Sequence, residues 1–370
     1  MLPEAREAWM EAVERFPGNP SSLHRVGDRA ERALGEARER LAAWLDCHPL
    51  DIIFTSGATE AANMVLHHVS KAFPEYASVW VSSIEHPCVT QPWRAGFPKR
   101  GVQVRPDEQG RVCVASIGQA LSLRRPALLA VMASNNETGV LQPWREIAGV
   151  CRSEGVEFFC DATQWIGKLP SAGFGACDYV CGSGHKFGGP RGVGFLKVRS
   201  EGRFEPLIRG GGQEGGRRAG TENVAGVLAM IKALEVRQAG LAAGSQQIRE
   251  GWRDEFLMEL RRRVPGTEVI GAGAERIWNT ATVLMPERDC RNRWVVKLDK
   301  AGFAVSSGSA CASGREEPSP VLLAMGRSPE DAGRVLRFSA GWETTREDWL
   351  ALLEGITSVA TESDAAALIN

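Results

Sequence analysis

Apolar runs of strand length alternate with longer amphipathic stretches through the first 200 residues or so of the chain. The runs are DIIFT (51–55), SVWVS (78–82), VQVR (102–105), ALLAVM (127–132), VEFFC (156–160), YVC (179–181) and VGFLKV (193–198). Most lack an in/out alternation, which demands burial on both faces, and parallel neighbours joined by helical crossovers supply that cover. The pattern predicts an α/β domain, an open and mostly parallel sheet covered by helices. In such sheets ligands collect outside the carboxyl ends of the strands. The runs TSGATE, SSIEHP, ASNNETG, DATQ and GSGHK all fall there.

Past residue 200 the pattern changes. A glycine-rich stretch (210–216) leads through RRAGTEN into a predicted helix over 222–238, and an arginine-rich stretch (248–263) predicts another, crossing into a second domain. This divides the chain into a large domain, 1–245, and a smaller α+β domain, 246–370, with short strands and two-sided helices ending near Ile356. The tail TESDAAALIN carries little pattern. At 370 residues and 43% hydrophobic, the chain has enough apolar material for this arrangement.

Charge excludes several classes of partner. With 44 basic and 45 acidic residues the net charge is -1, so there is no long-range attraction to nucleic acid or anionic lipid. Glu4, Arg6, Glu7, Glu11, Glu14 and Arg15 deny the N-terminus a signal-peptide core, and no apolar run approaches the ~20 residues of a span. A cytoplasmic protein with no membrane contact is expected. The nine cysteines are odd in number and scattered, which fits reduced thiols rather than disulfides. Cys177 and Cys181 lack a second Cys/His pair at finger-like spacing, so they read as core residues and no metal site is expected.

Two runs point to specific chemistry. Asp161 ends one apolar run and Lys186 follows another, so the two can hold opposite ends of a pyridine-aldehyde cofactor, with the lysine as a Schiff base and the carboxylate on the ring nitrogen. Asp161 reads equally as the N-cap of a helix, and a solvated charge is the plainer role for Lys186. In TSGATEAAN the backbone N–H groups of Gly57, Ala58 and Thr59, with the Thr59 hydroxyl, can cradle a phosphate at a helix start, or only begin a capped helix. His86 can stack on a flat ring and assist proton transfer, or be a satisfied turn residue. Cys311, among the small residues of SSGSACASG, sits in the setting of an accessible nucleophile rather than of a core thiol. Arg337, in RVLRFS, can grip a substrate carboxylate bidentately, or be a strand-edge charge.

Taken in order, these runs resemble the cysteine desulfurases of the class V aminotransferase group, pyridoxal-phosphate enzymes of fold type I. The matching runs are GNPSSLH (18–24), TSGATEAAN (55–63), EHPCV (85–89), NNETGVLQP (135–143), DATQWIGKLP (161–170), SGHKFGGPRGVG (183–194), GGGQEGGRRAGTEN (210–223), SSGSACAS (306–313) and RFSAG (337–341). The resemblance implies that Lys186 carries the Schiff base, Asp161 keeps the pyridine nitrogen protonated, Gln164 bonds the ring's phenolic oxygen and His86 stacks on the ring. It implies a phosphate site of Ala58, Thr59, Ser183 and His185, completed by Thr221 of a neighbouring subunit, and hence a homodimer. Asn136 and Arg337 match substrate-binding positions, with Asn136 also beside the cofactor. The implied reaction takes sulfur from L-cysteine, leaving L-alanine and a persulfide on Cys311. The SSGSAC pattern resembles the family's long-loop subgroup, which delivers sulfur to iron–sulfur scaffolds or tRNA-modifying proteins.

One departure sets the alternatives. Family members begin with a short strand and a run of the Asp-Asn-Ala-Ala-Thr-Thr-Pro type, whereas this chain starts at Met1-Leu2-Pro3, just after where that run would end. The expectation is a trimmed start or a divergent branch. A selenocysteine lyase or another class V lyase, or a cofactor-binding paralogue acting as a scaffold, are the competing readings.

Overall fold

The computed structural model describes residues 1–199, 204–287, 291–307 and 318–367. Two compact units divide the chain: Met1–Val104, Val112–Ser134 and Gln142–Ala243 form the first, and Arg105–Arg111, Asn135–Leu141 and Gly244–Asn370 the second. Sequence reading did not detect that 105–111 and 135–141 leave the large unit.

The first unit is built on a seven-stranded sheet: β1 (Ile52–Thr55), β2 (Val79–Ser82), β3 (Gly101–Val104), β4 (Leu128–Ala130), β5 (Glu157–Asp161), β6 (Tyr179–Ser183) and β7 (Gly194–Val198). Their spatial order is β1-β7-β6-β5-β4-β2-β3. Only β7 runs antiparallel to its neighbours, so the sheet is mostly parallel, as the apolar runs imply. β1, β2, β4, β6 and β7 are buried at every position, while edge strand β3 is half-buried. The run 127–132 contracts to three residues as β4, because the Met132 N–H goes to the Glu85 carboxyl (2.7 Å).

Helices of this unit are α1 (Pro3–Arg15), α2 (Arg25–Leu45), α3 (Ala58–Ala72), α4 (Pro87–Gly96), α5 (Val114–Leu123), α6 (Trp144–Glu154) and α7 (Val224–Ala242). α3 and α4 bury Met64, Val65 and Trp93 against Val81, Phe159 and Leu196 of the sheet. The glycine-rich stretch before α7 is fastened down by ion pairs. Arg38 of α2 grips Glu214 through both nitrogens (2.9 and 3.2 Å), and Arg218 grips Glu60 of α3 (2.8 and 3.4 Å). Glu214 adopts a left-handed backbone (φ 50°, ψ 34°), strained for a residue with a Cβ, so this ion pair also holds an unfavourable turn.

The second unit contains α8 (Ser245–Arg263), β8 (Glu268–Val269), β9 (Thr280–Leu284), α9 (Arg291–Lys300), β10 (Ser306–Ser307), α10 (Pro320–Ala324), α11 (Pro329–Gly333), β11 (Val335–Ser339) and α12 (Arg346–Ala367). Its antiparallel sheet, ordered β10-β11-β9-β8, packs Val283, Leu336 and Phe338 against Phe256 and Leu260 of α8 and Trp349 of α12. Rather than ending near Ile356, α12 continues to Ala367. Its Thr357 and Thr361 hydroxyls donate to the carbonyls four residues back, so they do not compete with the helical ladder. Segment 135–141 joins this unit through a bridge between Val140 and Arg276 and a bond from the Leu141 N–H to Glu275 O. No helix among the described residues is long and apolar enough to cross a membrane.

Candidate active site

β5 and β6 are parallel neighbours with Asp161 opposite Cys181, and this register brings the ends of their two runs together. Asp161 closes β5, is 4% exposed, and accepts the Thr163 N–H at Oδ1 (2.9 Å). No helix starts at Ala162, so Asp161 closes a turn rather than capping a helix, and its carboxylate is buried. Ser183 closes β6, and a single tight turn, Gly184–Lys186, follows it. Lys186 and Asp161 therefore follow the carboxyl ends of neighbouring parallel strands. The Ser183 hydroxyl lies 2.9 Å from Nδ1 of His185.

α3 begins directly after β1 and no side chain caps it. Gly57, at φ +153°, makes this entry possible: a Cβ there would stand 3.3 Å from the Ser183 hydroxyl, and one on Gly194 of β7 would meet the Gly57 Cα at 2.6 Å. The first-turn N–H groups of Ala58 and Thr59 thus lie beside Ser183 and His185, where the helix dipole favours an anion. An uncapped helix start at one end and a buried carboxylate at the other fit a phosphorylated pyridine.

His86 caps α4, its Nδ1 accepting the Cys88 N–H at 3.1 Å. That bond needs the Nδ1 lone pair. Burial, the largest influence, lowers the His86 pKa; Asp161 opposes the shift and Lys186 adds to it. The folded state therefore binds fewer protons than the unfolded chain. The stabilisation is complete above the ordinary histidine pKa of about 6.5 and fades as the pH falls below it. The stability difference between the wild type and His86→Asn should be larger at pH 7.5 than at pH 5.5, and equal differences in urea denaturation would mean that His86 titrates as if unfolded. His185 is lowered too, by burial first and then by Lys186.

Three residues of this site carried no assigned role in the sequence. Glu85 is buried and pushed up to about 8, by burial first and then by Asp161. Cys88 places its Sγ 4.0 Å from Asp161 Oδ2. Lys168, 3% exposed, donates from Nζ to Gln164 Oε1 at 2.5 Å. The quoted runs EHPCV and DATQWIGKLP contain all three, but no periodicity marks them. Thr221 is exposed on the segment that Arg218 fastens to α3.

The second unit holds the other candidates. Arg337 of β11 donates from Nη1 to Asn136 O at 3.0 Å, while its Nε and the Asn136 Oδ1 are buried with no hydrogen-bond partner among the described residues. Such groups call for a ligand or water. Glu137 is buried, bonded to Ser319 and pushed up to about 7 by burial, against the pull of Ser319 and Arg337. Cys311 lies outside the described residues. Those on either side of it are held by β10, with Ser306 opposite Arg337, and by the Ser319–Glu137 bond.

The aminotransferase class-V family profile matches residues 2–352. A cysteine desulfurase of Klebsiella pneumoniae is 38% identical over 94% of this chain and 86% of its own. Among solved structures, a NifS-like protein superposes with a TM-score of 0.88 at 29% identity, covering 98% of this chain and 96% of its own. Another, described as SspA in complex with cysteine, has a TM-score of 0.78 at 27% identity over 92% and 95% of the two chains. The chain belongs to the aminotransferase class-V family, among its cysteine desulfurases.

Proposed function

We propose that this protein takes sulfur from L-cysteine, releasing L-alanine and leaving a persulfide on Cys311, with pyridoxal 5′-phosphate as cofactor. The observation that carries this reading is that Asp161, Lys186 and the uncapped start of α3 all follow the carboxyl ends of strands in one sheet. When bound, the cofactor supplies an electron sink for the carbanion formed at the substrate Cα.

The chain's own residues do the rest. Ala58, Thr59, Ser183 and His185 hold the phosphate, and Thr221 of a second copy completes that site, so the active protein is a homodimer. Asp161 holds the proton on the ring nitrogen, Gln164 contacts the phenolic oxygen and His86 covers the ring face. Arg337 binds the substrate carboxylate beside Asn136. Lys186, with its amine free, would take the Cα proton on Nζ. The Cys311 thiolate forms a bond to the substrate sulfur as its carbon–sulfur bond breaks. A sulfur-acceptor protein, an iron–sulfur scaffold or a tRNA-thiolation partner in the cytoplasm, then collects the persulfide.

The direct test is alanine formation from L-cysteine by purified protein, given excess pyridoxal phosphate and a reductant to clear the persulfide. Alanine supports the reading; no alanine despite bound cofactor sinks it in favour of an inactive scaffold, and alanine from selenocysteine alone makes the protein a selenocysteine lyase. Arg337→Ala should raise KM far more than it lowers kcat, with about 2–5 kcal/mol lost if the carboxylate contact is desolvated. An unchanged KM removes Arg337 from substrate binding.

A further inference from the structure

A lysine ammonium has no lone pair with which to accept, so the charged Lys168 Nζ, 2.5 Å from Gln164 Oε1, selects the oxygen end of that amide. The oxygen faces Lys168, and the N–H₂ edge is the end left to face elsewhere. The turn that carries both residues is closely specified. The N–H groups of Trp165 and Ile166 both bond Ala162 O, and those of Lys168 and Leu169 both bond Trp165 O. Gly167 between them sits at φ +77°, and a Cβ there would stand 2.5 Å from the Cβ of Phe187, the residue after Lys186. Only glycine lets the Lys168 turn close onto the Lys186 turn. The two lysines are near enough that Lys186, after burial, contributes to pushing Lys168 down to about 7.

We infer that Lys168 is a positioning residue, holding the Gln164 amide so that its N–H₂ edge rather than its oxygen meets the cofactor's phenolic oxygen. The inference rests on the reading of Gln164 given above. An N–H donor at that oxygen favours its ionised form, whereas a flipped amide would set two acceptors against each other. Lys168 thus acts on the electronic state of the bound ring without touching it, through Gln164.

The test uses the full-length protein loaded with pyridoxal phosphate. Borohydride reduction followed by peptide mass analysis first locates the attachment: a label on a lysine other than Lys186 overturns the site reading itself, and this inference with it. With Lys186 labelled, the visible absorption maximum and the cofactor dissociation constant are compared for wild type, Lys168→Met, Gln164→Ala and the double variant. Each single change should move the absorption band the same way and weaken cofactor binding about tenfold. The double variant should go no further than Gln164→Ala alone, because the two residues act in series. Lys168→Gln, which keeps a donor in the same place, should restore most of the wild-type spectrum, and it replaces Lys168→Met in the comparison if that variant does not fold. A wild-type band and affinity without a donor at 168, or effects that add in the double variant, would falsify the inference.

Discussion

Cys311→Ala is expected to hold the cofactor as well as the wild type while losing persulfide formation altogether and alanine formation by at least ~10³-fold. A nucleophile cannot be replaced by positioning, since only a thiolate can form the sulfur–sulfur bond. Cys88 is another thiol close to the candidate site, its Sγ 4.0 Å from Asp161 Oδ2. It is only 8% exposed and built into the first turn of α4, so it cannot travel to a substrate and then to an acceptor. Cys88→Ala should therefore leave turnover within a few-fold of wild type. Mass analysis after incubation with L-cysteine separates the two: an added sulfur on the peptide containing Cys311 is the expected result. Label on Cys88, or undiminished alanine from Cys311→Ala, would transfer the role elsewhere.

Arg38→Ala is expected to cost about 3–5 kcal/mol of unfolding free energy, the range for leaving one member of a buried ion pair alone. The Arg38 and Glu214 side chains are 17% and 2% exposed, so removing the guanidinium strands a carboxylate with almost no access to water. The same guanidinium bonds Ile52 O at the start of β1, which would also lose a partner. Urea denaturation reads the loss directly. A double variant, Arg38→Met with Glu214→Gly, should recover most of it, because it removes the stranded charge and places glycine where the backbone is left-handed. A loss below about 1 kcal/mol in Arg38→Ala would mean that Glu214 finds water or another cation.

The large sheet was legible because its strands are buried on both faces, which leaves an unbroken apolar signature, and because each is followed by a turn whose glycines and hydroxyls interrupt it. Asp161, His86 and Lys186 could be singled out for the same reason, standing where those runs stop. The second unit was less legible. Segment 135–141 lies between two stretches of the first unit in sequence, and what draws it into the second is its pairing near Glu275 and Arg276, contacts that no local pattern announces. Lys168 was hidden by a different cause: a lysine in a short turn looks solvated unless one knows that Gly167 lets the turn close against Phe187. The helical end of α12 was misread because Thr, Glu, Ser and Asp weaken the apolar period, although the threonine hydroxyls satisfy themselves within the helix.

The strand order also governs how the protein can be made. β1 is translated first of the seven, yet its ladder partner is β7, the last to emerge from the ribosome. Until then Ile52, Ile53 and Phe54 belong to an apolar strand with an open edge, the kind of segment that pairs with other chains. The start of α3, which hangs from β1, cannot meet Ser183 before the same moment. Cofactor capture is therefore a late event in biogenesis, and a chain stalled before Gly194 should be a client for chaperones rather than a half-built enzyme.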